Sequence, residues 1–171
     1  MVFVRAEEGP SNYGPNEPYT VHYFDEKGNM TIRSGGSKAW RNNNPGNMVC
    51  PPNGFAIRHG AIGRAAKMAV FPDESTGRKA LSDLLKSANF SNMKISEMPE
   101  KYDYDNAKEY RRMLLSISKL DPNKRIKDLT PMEFDKLREA VERIEGWKPG
   151  KEDFIEKWYI TGVSSSSLKS T

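Results

Sequence analysis

Between Thr130 and Gly146 the sequence writes both ends of a helix. Thr130-Pro131 opens it, with proline at the first helical position, where its missing N–H is no loss, and Gly146 closes it. At about 100° per residue, Leu137, Val141 and Ile144 share one stripe with Phe134. A helix with such a stripe must lay it on other apolar surface. The chain is therefore a packed domain, and 171 residues suffice for one core. Seventeen aromatic residues and eight methionines are available to fill it.

The remaining punctuation predicts short elements. Residues 1–18, crowded with Gly, Pro and Asn from position 7 onward, read as a linker or loop. Residues 19–33 form two β-prone runs around Asp25-Glu26-Lys27-Gly28-Asn29, a hairpin closed by Ser34-Gly35-Gly36-Ser37. Residues 38–72 are irregular. Asp73 caps a helix to about Ser87 with Ala80, Leu81, Leu84 and Leu85 on its apolar side. A further helix runs from about Asp105 to Leu120, with Tyr110, Met113, Leu114 and Ile117 at helical spacing. Residues 152–160 suggest one more short helix, and 163–171 a disordered tail. The expected fold is mainly α, within the α+β class: a helical domain over 19–162 with one small β-hairpin near its N-terminus.

Composition narrows the function classes. Twenty-seven basic against 23 acidic residues leave a net charge of +4, which suits an anionic partner. The basic residues do not gather into one stripe, which disfavours nucleic acid; Arg111-Arg112 and Lys124-Arg125 read as solvated faces. One cysteine and two histidines disfavour a closed zinc site, and Cys50, in a loop before Pro51-Pro52, lacks the helix start that lowers a thiol pKa. No apolar run approaches the roughly 20 residues of a membrane span or the length of a signal peptide. Neither a metal nor a cofactor is expected.

Glu145 is the most informative polar residue. It lands at the edge of the apolar stripe, in the last helical turn. Burial and the negative end of the helix dipole both disfavour a carboxylate there and raise its pKa, as a general acid needs. A frayed helix end in water is the other environment open to it. Asp25 and Glu26 supply a second acidic pair, although Asp-Glu-Lys-Gly is also ordinary turn chemistry. Two carboxylates are the minimum set for cutting a glycosidic bond, one protonating the leaving oxygen and the other activating water or stabilising the cationic sugar. Arg41-Asn42-Asn43-Asn44-Pro45-Gly46-Asn47 carries four amides able to bind sugar hydroxyls, or equally to cap turns in left-handed backbone. Trp40 could stack on a sugar face or belong to the core.

Trp40 to Met48, WRNNNPGNM, resembles the RNNNPGNI motif of a family of phage and bacterial peptidoglycan hydrolases with a lysozyme-like domain. In the same order, Ala69-Val70-Phe71-Pro72 resembles the family's GFAVFP segment, Gly77 to Leu81 its helix start, and Arg143-Ile144-Glu145-Gly146-Trp147 its closing Glu-Gly motif. The sequence departs from the pattern at Met48, where Ile is usual, and at Tyr102-Asp103-Tyr104-Asp105, where the family has Pro-Pro. The hairpin followed by SGGS and the Asn motif is similar to C-terminal domains of toxic effectors delivered by type VI secretion. A second similarity, to classical phage lysozymes, lies in the hairpin and the helix-ending acid in reversed order, as in a circular permutation.

The resemblance implies a lysozyme-like domain acting on peptidoglycan. Its catalytic set would be Glu145, Asp25, Glu26 and Thr31, with Glu26 as an alternative acid assisted by Glu17 or Glu8. Substrate would meet Trp40, Arg41, Asn42, Asn43, Asn44, Asn47 and Tyr104. The expected activity is a muramidase; a lytic transglycosylase or a non-catalytic cell-wall-binding module are the alternatives. It also implies an upstream domain, secretion into the periplasm of a target bacterium, and a cognate immunity protein.

Overall fold

The structure, a computed structural model, describes residues 2–11 and 18–158. In chain order its strands and helices are β1 (Phe3–Gly9), β2 (Thr20–Asp25), β3 (Met30–Ser34), α1 (Lys38–Arg41), α2 (Phe55–Arg58), β4 (Gly63–Ala65), β5 (Met68–Val70), α3 (Glu74–Lys86), α4 (Met98–Tyr102), α5 (Ala107–Ser118), α6 (Pro131–Glu145) and β6 (Lys151–Ile155). The strands form a four-stranded antiparallel sheet, ordered β1-β2-β3-β6, and the two-stranded sheet β4-β5. The mainly α, lysozyme-like arrangement with one hairpin is thereby corrected. The fold is α+β, about 40 % helix and 21 % strand.

Four strands account for the difference, and two of them, β4 and β5, fall within residues 38–72, expected to be irregular. Phe3–Gly9, expected to be part of a linker, is an edge strand of the four-stranded sheet. Its buried or half-buried apolar side chains are only Ala6 and Phe3, the latter with its ring 4.9 Å from that of Tyr23, while Arg5, Glu7 and Glu8 are exposed. Residues 151–155, expected to be helical, form β6, where Glu152 pairs with Arg33 of β3 through a 2.7 Å salt bridge. The expected disordered tail and Glu17 lie outside the described residues.

The helices α3, α5 and α6 follow their sequence signals, whereas α1 and α2 form within the stretch expected to be irregular. The Asp73 side chain accepts a 2.7 Å hydrogen bond from the Thr76 N–H at the start of α3. Thr130 and Glu133 form a reciprocal capping box on α6, and Gly146 ends it at φ 86°. The main core gathers Leu81 and Leu85 of α3, Met98 of α4, Tyr110 and Leu114 of α5, and Leu137 and Val141 of α6. A smaller cluster of Ala6, Val21, Tyr23, Ala65 and Val70 lies under the sheet.

The loop after α1 joins the two halves. Gly77 of α3 packs so tightly on it that a Cβ would meet the Asn43 carbonyl oxygen at 2.1 Å. From the sheet, Arg33 donates to the Trp40 carbonyl at 2.6 Å and to Asn43 Oδ1 at 2.8 Å. No helix among the described residues is long and apolar enough to cross a membrane.

Candidate active site

The Asn-rich loop is built inward. Asn42, Asn43 and Asn44 are buried. The Asn42 amide donates to the Tyr19 hydroxyl at 2.9 Å and that of Asn43 to the Phe71 carbonyl at 3.2 Å. Asn44 donates to the Met48 and Ala69 carbonyls and accepts from the Met48 N–H, so one side chain closes the turn and ties it to β5. Asn43 and Asn47 sit at φ 50° and 48°, left-handed backbone that Asn adopts more readily than most residues. Arg41 is buried too, donating to the Gly35 and Gly36 carbonyls. Trp40 is buried beneath the Arg33 guanidinium, 4.5 Å from its ring. Trp40, Arg41, Asn42, Asn43 and Asn44, the expected substrate contacts, are buried and paired with the chain, where they shape the loop.

Asn47 is different. Its amide donates to Glu145 Oε2 at 2.9 Å and to the Glu145 carbonyl at 3.3 Å. It thus caps one of the carbonyls that the end of α6 leaves open and holds the adjacent side chain. Ser37, just before α1, bonds to both Gly146 and Lys148 and fixes the chain leaving the helix.

Glu145 is half-buried, and desolvation raises its carboxyl pKa above the ordinary value. The like charge of Asp103 pushes the same way. The Asn47 amide, the positive charge of Lys38 and the Tyr110 hydroxyl pull against this without reversing it. Tyr110 is 1 % exposed, and its hydroxyl completes no regular hydrogen bond, although it lies near enough to Glu145 to favour the ionised form. The neighbouring Tyr102 ring is 5.8 Å away, and its hydroxyl donates to the Gly46 carbonyl. Desolvation and the nearby Glu145 charge raise both phenol pKa values, so both hydroxyls keep their protons at neutral pH. The site therefore offers a carboxylic acid inclined to hold its proton, with donors already placed to stabilise the anion once the proton has left.

The hairpin acids are not brought to it. Glu145 lies beside Ser37 and Lys38, beyond the end of β3, whereas Asp25 and Glu26 belong to the turn before its start, about 13 Å of strand away. Asp25 is a turn cap, accepting from the Lys27 and Asn29 backbone N–H groups and from the Asn29 amide. Desolvation raises its pKa, but these donors outweigh it and hold the carboxyl below its usual range. Glu26 is exposed in the same turn. Thr31 is buried in β3 between Tyr23 of β2 and Phe154 of β6, in mid-sheet. Glu8, the proposed helper of Glu26, instead accepts from the Ala66 N–H. Tyr104 is exposed, one residue beyond Asp103.

Sequence reasoning missed Asp103, Tyr110 and Lys38 as neighbours of the acid. In the sequence, Asp103 stands out only as part of a departure from the family pattern, and Tyr110 only by its helical spacing. Among the described residues no group of three or more His, Cys, Asp or Glu could hold a metal ion. No protein-family model matches the chain, and no curated protein matches it.

Proposed function

We propose that the protein is a glycosidase of bacterial cell-wall glycan, with Glu145 as its general acid. The observation that carries this is the Asn47–Glu145 pair: a half-buried carboxyl with a raised pKa, oriented by an amide that also caps its helix. Glu145 protonates the glycosidic oxygen as the C–O bond breaks. Asn47, Lys38 and Tyr110 then stabilise the carboxylate left behind. Asp103, whose charge raises the Glu145 pKa, takes the place of Asp25 and Glu26 as the candidate second carboxylate. The WRNNNPGN and Glu-Gly resemblance supplies peptidoglycan as the substrate and supports delivery to the periplasm of a rival as an effector domain, opposed by an immunity protein.

A lytic transglycosylase is the second reading. It is favoured by the position of the hairpin acids at the far end of β3, since that reaction needs one acid/base group and no activated water. The test is incubation of purified sacculi with the wild-type chain and with Glu145→Gln, followed by mass spectrometry. Soluble muropeptides with reducing ends support hydrolysis and anhydro products support transglycosylation. Equal release by Glu145→Gln removes Glu145 as the acid.

A further inference from the structure

A cavity of about 280 Å³ has Asn47, the residue that orients Glu145, in its wall. It falls just below the ~300 Å³ at which drug-sized pockets begin, which suits a smaller molecule. Met48, Leu84 and Phe90 are typical of its lining, which is apolar apart from the Asn47 amide, the Lys101 ammonium and the Tyr102 hydroxyl. Two of those three polar groups are already engaged. The Tyr102 hydroxyl donates to the Gly46 carbonyl, and the Asn47 amide nitrogen to Glu145. A ligand with many hydroxyls would leave most of them unpaired here, at a cost for each.

Lys101 is the exception. Its ammonium donates to the Asn89 carbonyl at 3.1 Å and lies 5.4 Å from the centroid of the Phe90 ring, which holds it beside the cavity. It makes no ion pair among the described residues. An ammonium carries three donors, so charge and hydrogen-bonding capacity remain for a ligand. Among the described residues that line the cavity it is the only cation, and no carboxylate joins it. The lining therefore matches a single negative charge; a dianion would lack a second partner.

The apolar walls are fixed from outside. Phe55 of α2 stacks on His59 with ring centroids 3.9 Å apart, and His59 Nδ1 lies 3.1 Å from Asp83 Oδ2 of α3. Phe90 packs edge-on against Tyr102 at 6.0 Å. Walls already held in place cost little further ordering on binding. Val49, in the same lining, is 63 % exposed, so apolar surface at the cavity stays in water until something covers it.

We propose that this cavity binds a small apolar monocarboxylate, an aryl or branched alkyl acid, with its hydrocarbon body against Phe55, Leu84 and Phe90 and its carboxylate on Lys101. The proposal does not rest on the glycosidase reading.

The test is titration calorimetry on the full chain with 4-phenylbutyrate, its neutral amide 4-phenylbutanamide, and the dianion benzyl phosphate. The expected result is saturable binding of the carboxylate, with the amide and the phosphate each weaker by about fivefold or more. Lys101→Gln should bring the carboxylate down to the level of the amide, and Lys101→Arg should keep most of its affinity. Val49→Glu, at an exposed position, should weaken the carboxylate more than the amide, because it sets a like charge in the lining. Thermal melts of the three variants should match the wild type, which separates loss of the site from loss of the fold. No saturable binding of the carboxylate overturns the site. So does equal affinity for acid and amide, a preference for the phosphate, or carboxylate binding that neither Lys101→Gln nor Val49→Glu weakens. None of these readouts involves glycan, so the outcome leaves the glycosidase reading untouched.

Discussion

Asn47 Nδ2 meets Glu145 Oε2 at 2.9 Å across 98 positions of sequence, joining the end of the Asn-rich loop to the last residue of α6. This contact makes Glu145 a defined chemical group rather than a frayed terminus. The predictions test its parts separately.

Glu145→Gln should lower glycan cleavage by about 10²–10⁴-fold, the usual share of a general acid. It should also raise Tm at neutral pH. Because burial raises the folded-state pKa of Glu145, the wild type is relatively most stable below the ordinary value of about 4.5 and loses that advantage as pH rises through the folded value. The gain in Tm should therefore shrink toward zero in acid. Thermal melts at a series of pH values check the sign, and a gain independent of pH would contradict the assignment.

Asn47→Ala removes a donor to the Glu145 anion and a cap from α6. The alkaline limb of the pH–rate profile should move to higher pH, because the acid holds its proton more tightly. Stability should fall by about 1–3 kcal/mol, measured by urea unfolding.

Tyr110→Phe deletes a buried hydroxyl that makes no regular hydrogen bond and keeps the ring that packs the core. Stability should be unchanged or improved, since an unsatisfied buried hydroxyl costs about 1–3 kcal/mol. The alkaline limb should nevertheless move upward, because the hydroxyl favours ionised Glu145. A variant with a lower Tm and an unmoved limb would reduce Tyr110 to packing.

Asp103→Asn should shift the alkaline limb downward, since a like charge near Glu145 is removed. If Asp103 is the second carboxylate, turnover falls about 10²-fold or more. Asp25→Asn and Glu26→Gln should keep near wild-type turnover on the same sacculi. Asp25→Ala should lower Tm above the usual carboxylate range, with the loss fading as acid protonates the wild-type cap; its depressed pKa sets this direction.

Gly77→Ala tests the joint between loop and α3. A Cβ there meets the Asn43 carbonyl oxygen at 2.1 Å, a backbone atom that cannot swing aside as a flexible side chain would. The expected loss is about 1–3 kcal/mol by urea unfolding, accompanied by reduced activity as the Asn47 end of the loop shifts.

Local signals were legible and distant pairings were not. The bounds of α6, the Asp73 cap and the β2–β3 hairpin all rest on neighbours within a few positions, which a sequence displays directly. β6 depends on β3, with Arg33 and Glu152 separated by 119 positions, and nothing near residue 152 announces that partner. β1 hides because three exposed charges dominate its composition while Ala6 and Phe3 alone supply its buried apolar contacts. Glu145 was legible as an acid on an apolar edge. The amides of Asn42, Asn43 and Asn44 suit a sugar and a backbone carbonyl equally well, so composition could not tell that they turn inward. Asp103 reaches Glu145 through the turn after α4, a placement no periodicity encodes.

The closure of β6 onto β3 and of Asn47 onto Glu145 also bears on the order of assembly. Contacts between such remote positions form slowly, because the chain between them must be gathered first. Until they form, position 145 carries an ordinary water-exposed glutamate with no reason to retain its proton at neutral pH. The reactive acid is thus a property of the finished molecule, and a chain still folding does not possess it.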